Sequence, residues 1–542
     1  MTIEAQNKPA LNNTRTIARN SLWYGLEMGF VFVTATIATI IMARAIGPQK
    51  LGYFNYIQWL ANMSGVIGSL GIPMTTRKYM AEYIGTGEAG IVRAIFFATL
   101  RLQTLFALFI TGTSFVAVVL FGDPAHRLVS AIQVASIFPA MAVYVPAQTN
   151  IARENLKANV TGSVVQGCIY LGAVILSVKC GWGLLGIAVG LFSGRAVELV
   201  VRTVPVLRWI QRLPRGSLPD DLRKRMLSFS GQGTLLMLLN IIVWDRSDIV
   251  FLKFLNSDVS QISFFAVAFN LAERAMVFPQ TFGTAIGATI MAQYGRDKSR
   301  LSSIASASAR YMLLCSLPLL LGLAAISSPA IRLVYGEQYI PAIPVLAAAS
   351  VLAVSKPLLL PAQQLLQANE KQRFLVWFGF SCGGIKIALD LLLIPHFAAL
   401  GAAIANGLAQ IVAVIGIWIC ATRAFKLKLD MPGLFKIGTA GAIMALCVVP
   451  ISLAFRPVIS VPFGIAAGAV VFLIGLRVFR VLHGEDHYRL SQLEQRLPPG
   501  IRGISNRVVN FAAGWQLSLP PESTTIATSA GATSADGKYT DL

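Results

Sequence analysis

Fourteen apolar stretches, each near the length of a membrane-crossing helix, follow one another along most of this chain. They lie near 20–46, 50–72, 94–121, 128–150, 161–181, 183–204, 228–254, 262–289, 309–332, 340–366, 374–395, 399–422, 434–454 and 459–480. A hydrocarbon core about 30 Å thick takes about 20 apolar residues of helix. Inside it every backbone polar group needs a partner from the chain itself, which leaves helices as the form that such runs adopt. The expected fold is therefore an all-α polytopic membrane protein with 14 crossings. Charged residues make up 13% of the chain, about half of what soluble domains carry.

The few charges are lopsided, with 45 Lys+Arg against 24 Asp+Glu and a net charge of +21. Nucleic-acid binders are also basic, but their cations cluster on polar chains. Here the cations stand between apolar runs, so nucleic acid is not an expected partner and membrane topology is the better reading. If the N-terminus is cytoplasmic, the even-numbered connections and both tails hold about 32 cations, while the odd-numbered ones hold Lys50, Arg127, Lys179, Lys253, Arg332 and Arg456. That alternation follows the positive-inside rule and places both termini in the cytoplasm.

The expected outer connections are short, which leaves no room for the external catalytic domains of membrane enzymes that build glycans. The chain is not expected to be an enzyme. Cys168, Cys180, Cys315, Cys382, Cys420 and Cys447 fall mostly in apolar runs with no CxxC pair, so no metal, disulfide or cofactor is expected. The first apolar run is too long for a cleavable signal and is expected to stay in the membrane.

A shift of 215 residues places Pro146-Ala147-Gln148 on Pro361-Ala362-Gln363, and Leu185-Gly186-Ile187-Ala188-Val189 on Leu400-Gly401-Ala402-Ala403-Ile404. Six spans separate the two patches, so orientation is preserved and the halves read as parallel repeats. The expected organisation is a tail at 1–19, a lobe at 20–204, a cytoplasmic linker at 205–227 and a second lobe at 228–422. Two further helices follow at 423–480, and then a tail at 481–542 whose end lacks the apolar residues needed to fold. Such a two-lobed bundle suggests alternating access with cargo bound between the lobes.

Ionisable groups inside spans are functional candidates by default. Arg195 and Glu198 are spaced to pair along one helix, as are Lys386 and Asp390. Asp245 and Asp248 share a face that has no basic group, which makes them, with Glu273, the candidates for a coupling ion. Arg274 and Lys356 have no acidic partner at helical spacing. Arg195, Arg274 and Lys356, then Arg246 and Lys386, are the candidate cavity cations for an anionic cargo, phosphate being the obvious class. Intramembrane Asn and Gln residues such as Asn150, Asn406 and Gln410 suit either sugar hydroxyls or contacts between helices.

The run Arg44-Ala45-Ile46-Gly47-Pro48-Gln49-Lys50-Leu51-Gly52-Tyr53-Phe54, with Gly68-Ser69-Leu70-Gly71-Ile72 after it, resembles the opening of bacterial polysaccharide-export flippases. Trp244-Asp245-Arg246-Ser247-Asp248 and Leu400-Gly401-Ala402-Ala403-Ile404-Ala405 resemble further segments of that group, a branch of the multidrug/oligosaccharidyl-lipid/polysaccharide exporter superfamily. The resemblance implies two six-helix lobes with two added helices. It also implies translocation of undecaprenyl-diphosphate-linked oligosaccharide across the bacterial inner membrane, for exopolysaccharide or O-antigen assembly. Membrane lipids and the polymerase and glycosyltransferases of the same pathway are the implied partners. A cation-coupled multidrug exporter of the same superfamily, or a non-transporting component of a polysaccharide synthesis complex, is the alternative.

Overall fold

The computed structural model describes residues 10–244, 247–256, 258–294, 301–368, 371–425, 430–481 and 511. Every regular element among them is helical. The chain begins with α1 (Ala10–Gly68), α2 (Ile72–Thr86), α3 (Ala89–Phe121), α4 (Arg127–Ala135), α5 (Ile137–Ala142), α6 (Tyr144–Ala152), α7 (Lys157–Lys179) and α8 (Gly183–Ile210). It continues with α9 (Asp220–Trp244), α10 (Asp248–Leu255), α11 (Ser260–Tyr294), α12 (Leu301–Ala325), α13 (Ser327–Val334) and α14 (Ala342–Leu352). The last are α15 (Leu359–Ala368), α16 (Gln372–Phe425), α17 (Met431–Ala454) and α18 (Pro457–Val478).

Among the described residues, ten helical stretches are long and apolar enough to cross a membrane. Two of them, Leu22–Gly68 with 47 residues and Phe374–Phe425 with 52, exceed twice the ~20 residues that one crossing needs. Each contains a single residue with non-helical backbone, Gly47 at φ 78° in the first and Ala398 at φ 48° in the second. Gly47 adopts that conformation without a Cβ penalty, and Pro48 then starts the next helix with its φ already fixed. Ala398 has no such freedom, and its left-handed backbone carries strain of about 1–3 kcal/mol.

Two expected single spans are interrupted. The 128–150 run forms α4, α5 and α6, broken at Ser136 and Val143, and the 340–366 run forms α14 and α15 around a 3-10 turn at Ala353–Leu358 that contains Pro357. The 215-residue shift carries the break at Val143 onto Leu358, the last residue of the 3-10 turn, and the break at Ser136 onto Val351, just before that turn in α14.

The chain divides into two compact units. The first holds residues up to Leu271 together with Ile331–Ala349 and Lys371–Ala413; the second holds Ala272–Ala330, Ser350–Glu370 and everything from Val414. In the first, Ile72, Met80, Val92, Phe96, Val206, Ile210 and Met226 form one buried cluster, and Tyr53, Ile57, Ala107, Ile137 and Met141 form another. In the second, Leu317, Ile437, Ala440, Met444, Val448 and Phe472 close a core between α12, α17 and α18.

The stretch 205–227, read from sequence as a linker against headgroups, is largely helical. α8 continues through Pro205 to Ile210 and α9 begins at Asp220. Val206 and Ile210 are fully buried, and Arg93 fixes the connection by donating from Nη1 to the carbonyls of Gln211 (3.2 Å) and Leu213 (2.7 Å). The apolar positions between its prolines and basic residues bury a face against α2 and α3.

Candidate functional site

In the first unit, α10 and α16 bring together a buried charge cluster. The Lys386 ammonium donates to Ser247 Oγ, Asp248 Oδ1 and Asp390 Oδ2, each at 2.9 Å, which uses all three of its hydrogens. Lys386 is 1% exposed and both aspartates are fully buried. Asp248 Oδ2 also accepts from Asn406 Nδ2 at 3.4 Å, and Asn406 Oδ1 accepts from Gln410 Nε2 at 2.7 Å. Asp390 Oδ1 has no hydrogen-bond partner among the described residues. With every group ionised the cluster carries one net negative charge, so one ammonium must serve two carboxylates. The Lys386–Asp390 spacing read from sequence is an ion pair here. The lack of a basic neighbour for Asp248 along its own helix is made good by Lys386 from another helix. Asp245 and Arg246 lie outside the described residues.

The expected pairing of Arg195 with Glu198 does not form. Glu198 Oε1 instead pairs with Arg202 Nη2 at 2.7 Å, one turn on, the helical order in which an acidic group precedes its basic partner by four. Arg202 Nη2 also reaches Glu27 Oε1 at 3.2 Å and Ser163 Oγ at 2.5 Å, which ties α8 to α1 and α7. This side chain is only 12% exposed and belongs to an ion network.

Arg195 donates from Nη1 to Ser136 Oγ at 2.9 Å and from Nη2 to Asn62 Oδ1 at 3.0 Å. Ser136 is the break between α4 and α5, so this cation is anchored on an interrupted span. Neither partner was marked by charge or spacing in the sequence. In the second unit, Arg274 on α11 and Lys356 in the 3-10 turn are half-buried, and Glu273 is exposed. Lys356 therefore lies in the interrupted span that the 215-residue shift pairs with the span holding Ser136. Broken helices in transporters expose backbone groups where the surroundings are protein or a water-filled cavity.

Of the intramembrane amides, Asn150 Nδ2 donates to Asn159 Oδ1 at 3.0 Å, and Asn159 Nδ2 to the Ala147 carbonyl at 3.0 Å. With Asn406, these serve contacts between helices. Elsewhere in the unit α1 meets the ends of α11 and α13. Arg44 Nε donates to the Val334 carbonyl at 2.9 Å, Arg44 Nη2 donates to the Leu333 carbonyl, and Gln338 Nε2 reaches the Arg44 carbonyl at 3.4 Å. Gly52 lies against the backbone of Val259, where an added Cβ would collide with the carbonyl oxygen.

The succinoglycan biosynthesis transport protein ExoT of Rhizobium meliloti is 23% identical over 367 residues, covering 65% of this chain and 69% of that protein. Among solved structures, the lipid II flippase MurJ in an inward closed conformation superposes with a TM-score of 0.68 at 14% identity, covering 84% of this chain and 98% of that one. An inward-facing multidrug resistance MATE transporter of the MOP superfamily gives a TM-score of 0.60 at 14% identity, covering 74% and 98%. The fold is that of a multi-pass membrane transporter. The polysaccharide biosynthesis protein family matches residues 41–344, more than half of the sequence, and the chain belongs to that family.

Proposed function

We propose that this protein translocates undecaprenyl-diphosphate-linked oligosaccharide across the bacterial inner membrane by alternating access, for exopolysaccharide or O-antigen assembly. The observation that carries this reading is the placement of cations at helix breaks. Lys356 sits in the interruption of one span, and Arg195 is bonded to the interruption of the span that the repeat pairs with it. A diphosphate in transit needs fixed positive charge and hydrogen-bond donors at membrane depth, where ionisable groups are rare and mark substrate paths. Arg195, Arg274 and Lys356 supply that charge, and the name of ExoT, a succinoglycan transport protein, agrees with the cargo class. The sugars cross beside the diphosphate while the polyprenyl tail remains in the lipid.

The fourteen crossings of this reading are the ten stretches above, with the two doubled ones folded at Gly47 and Ala398, together with α9–α10 and α11. A reporter fused within 122–126 is then expected to read outside and one within 371–373 inside. Swapped readings would break the orientation.

The cluster of Asp248, Lys386 and Asp390 has one carboxylate more than it has ammonium groups, which makes it the place to bind and release a proton during the cycle. Glu273 is exposed and suits that role less.

Arg274→Gln and Lys356→Gln are expected to lower polymer export at least ~tenfold, since a charge-assisted hydrogen bond is worth about 1.5–3 kcal/mol. Export is measured in a strain that depends on this chain, with membrane insertion checked by immunoblot. Normal yield from both inserted variants would overturn the proposal.

A further inference from the structure

We infer that a cleft in the first unit, sharing no lining residue with the charged clusters, is a saccharide-binding subsite. It is a cavity of about 640 Å³ between the second limb of α1, the end of α3, α4 and the last turn of α10. Small-ligand pockets span roughly 300–1,000 Å³, so the space suits a short run of sugar rings. The inference rests on the cargo proposed above. With the 122–127 connection outside, the cleft lies at the end where a translocated glycan emerges.

Its lining has the two kinds of group that a pyranose needs together. Tyr56, Phe121 and Phe254 contribute ring faces, and Phe121 and Phe254 are 87% and 76% exposed, so their faces are not used up in a core. One side of a sugar ring is a patch of weakly positive C–H bonds, which packs on the negative face of an aromatic ring. Its rim of hydroxyls calls for donors and acceptors, here the hydroxyls of Ser64 and Ser114, the Lys253 ammonium and the Asp123 carboxylate. Lys253 lies 5.8 Å from the centre of the Tyr56 ring, which holds the ammonium at the cleft. A pocket selective for an ion would line itself with one sign of charge, whereas a neutral polyol uses both. Tyr53 forms a fixed wall, since its hydroxyl is bonded to Ser130 Oγ at 2.8 Å and its ring lies 4.7 Å from that of His126.

The test is saturation-transfer NMR on the purified full chain in detergent, with cellobiose as the probe and inorganic phosphate as a competitor. Transfer to the sugar ring protons is expected in the wild type, about fivefold weaker in Phe254→Ala and Lys253→Gln, and unchanged by phosphate. Phe254 is exposed, so its truncation leaves the core intact. Equal transfer in wild type and both variants, no transfer at all, or loss of transfer on adding phosphate would each overturn the subsite. Arg274→Gln separates the two proposals. It is expected to keep the cellobiose signal while losing export. Full export by Arg274→Gln and Lys356→Gln would sink the carrier reading alone, and a missing signal would sink the subsite alone.

Discussion

Lys386→Met is expected to unfold the purified protein at a clearly lower temperature than the wild type and to abolish polymer export. The substitution conserves much of the side-chain volume but removes the cation that holds Asp248 and Asp390 together, each at 2.9 Å. Two fully buried carboxylates would then be left without the ammonium, Asp248 keeping the Asn406 amide. Breaking a buried ion pair from one side costs about 3–5 kcal/mol, mostly because the remaining charge has lost its solvation. The double variant Lys386→Met/Asp390→Asn is expected to recover most of that stability, since the surviving Asp248 keeps Asn406. Export should stay low in the double variant, because the surplus carboxylate is gone as well. Tryptophan fluorescence during heating in detergent gives the first readout, and polymer yield gives the second. A Lys386→Met protein as stable as the wild type would show that the cluster is not held by charge.

Gly52→Val is expected to have the next largest effect. Gly52 stands five residues after the kink in α1 and abuts the carbonyl of Val259, so a Cβ there meets backbone and no rotamer change relieves it. The opposing turn cannot easily move away. Asp258 Oδ1 accepts from the Ser260 amide at 2.9 Å, and its Oδ2 accepts from Gln261 Nε2 at 3.1 Å. Burial works to raise the Asp258 carboxyl, yet these bonds hold it below the usual aspartate range. On the far side of the kink, Arg44 fastens α1 to the last carbonyls of α13. Overpacking at such a junction costs about 1–3 kcal/mol and should separate α1 from the start of α11. The expected result is loss of export together with faster labelling of Ser263→Cys by a membrane-impermeant maleimide. Unchanged labelling and yield would mean that the close approach is dispensable.

Much of the helical layout can be read from the amino acids, because lipid forces each apolar run to satisfy its own backbone. The turn residues Gly47-Pro48 mark a real kink, and Pro395 lies three residues before the one at Ala398. What hydropathy cannot show is where a helix continues beyond the bilayer. That is why Val206 and Ile210 read as linker, although both are helical and packed. The 3-10 turn at Ala353–Leu358 was hidden for a different reason. Its residues remain mostly apolar, and Pro357 was the sole local sign. Pairings between distant helices were the least legible. Spacing along α16 marked Lys386 with Asp390, but nothing in the order of residues could bring Asp248 to the same nitrogen. Arg195 illustrates the opposite error, since a plausible neighbour three residues on lost to a serine and an asparagine from other helices.

Gly47 and Ala398 each join two long helices through one non-helical residue, with no loop between them. A loop is a slack tether that lets its two helices tilt independently; a one-residue joint is a rigid elbow. Any tilt of the helix before Gly47 is therefore handed to the helix after it, and the same holds on either side of Ala398. Neither joint leaves its two helices any spare chain with which to separate. An inserted tag or even a few added glycines at either elbow would loosen a pair of helices that the native chain joins directly.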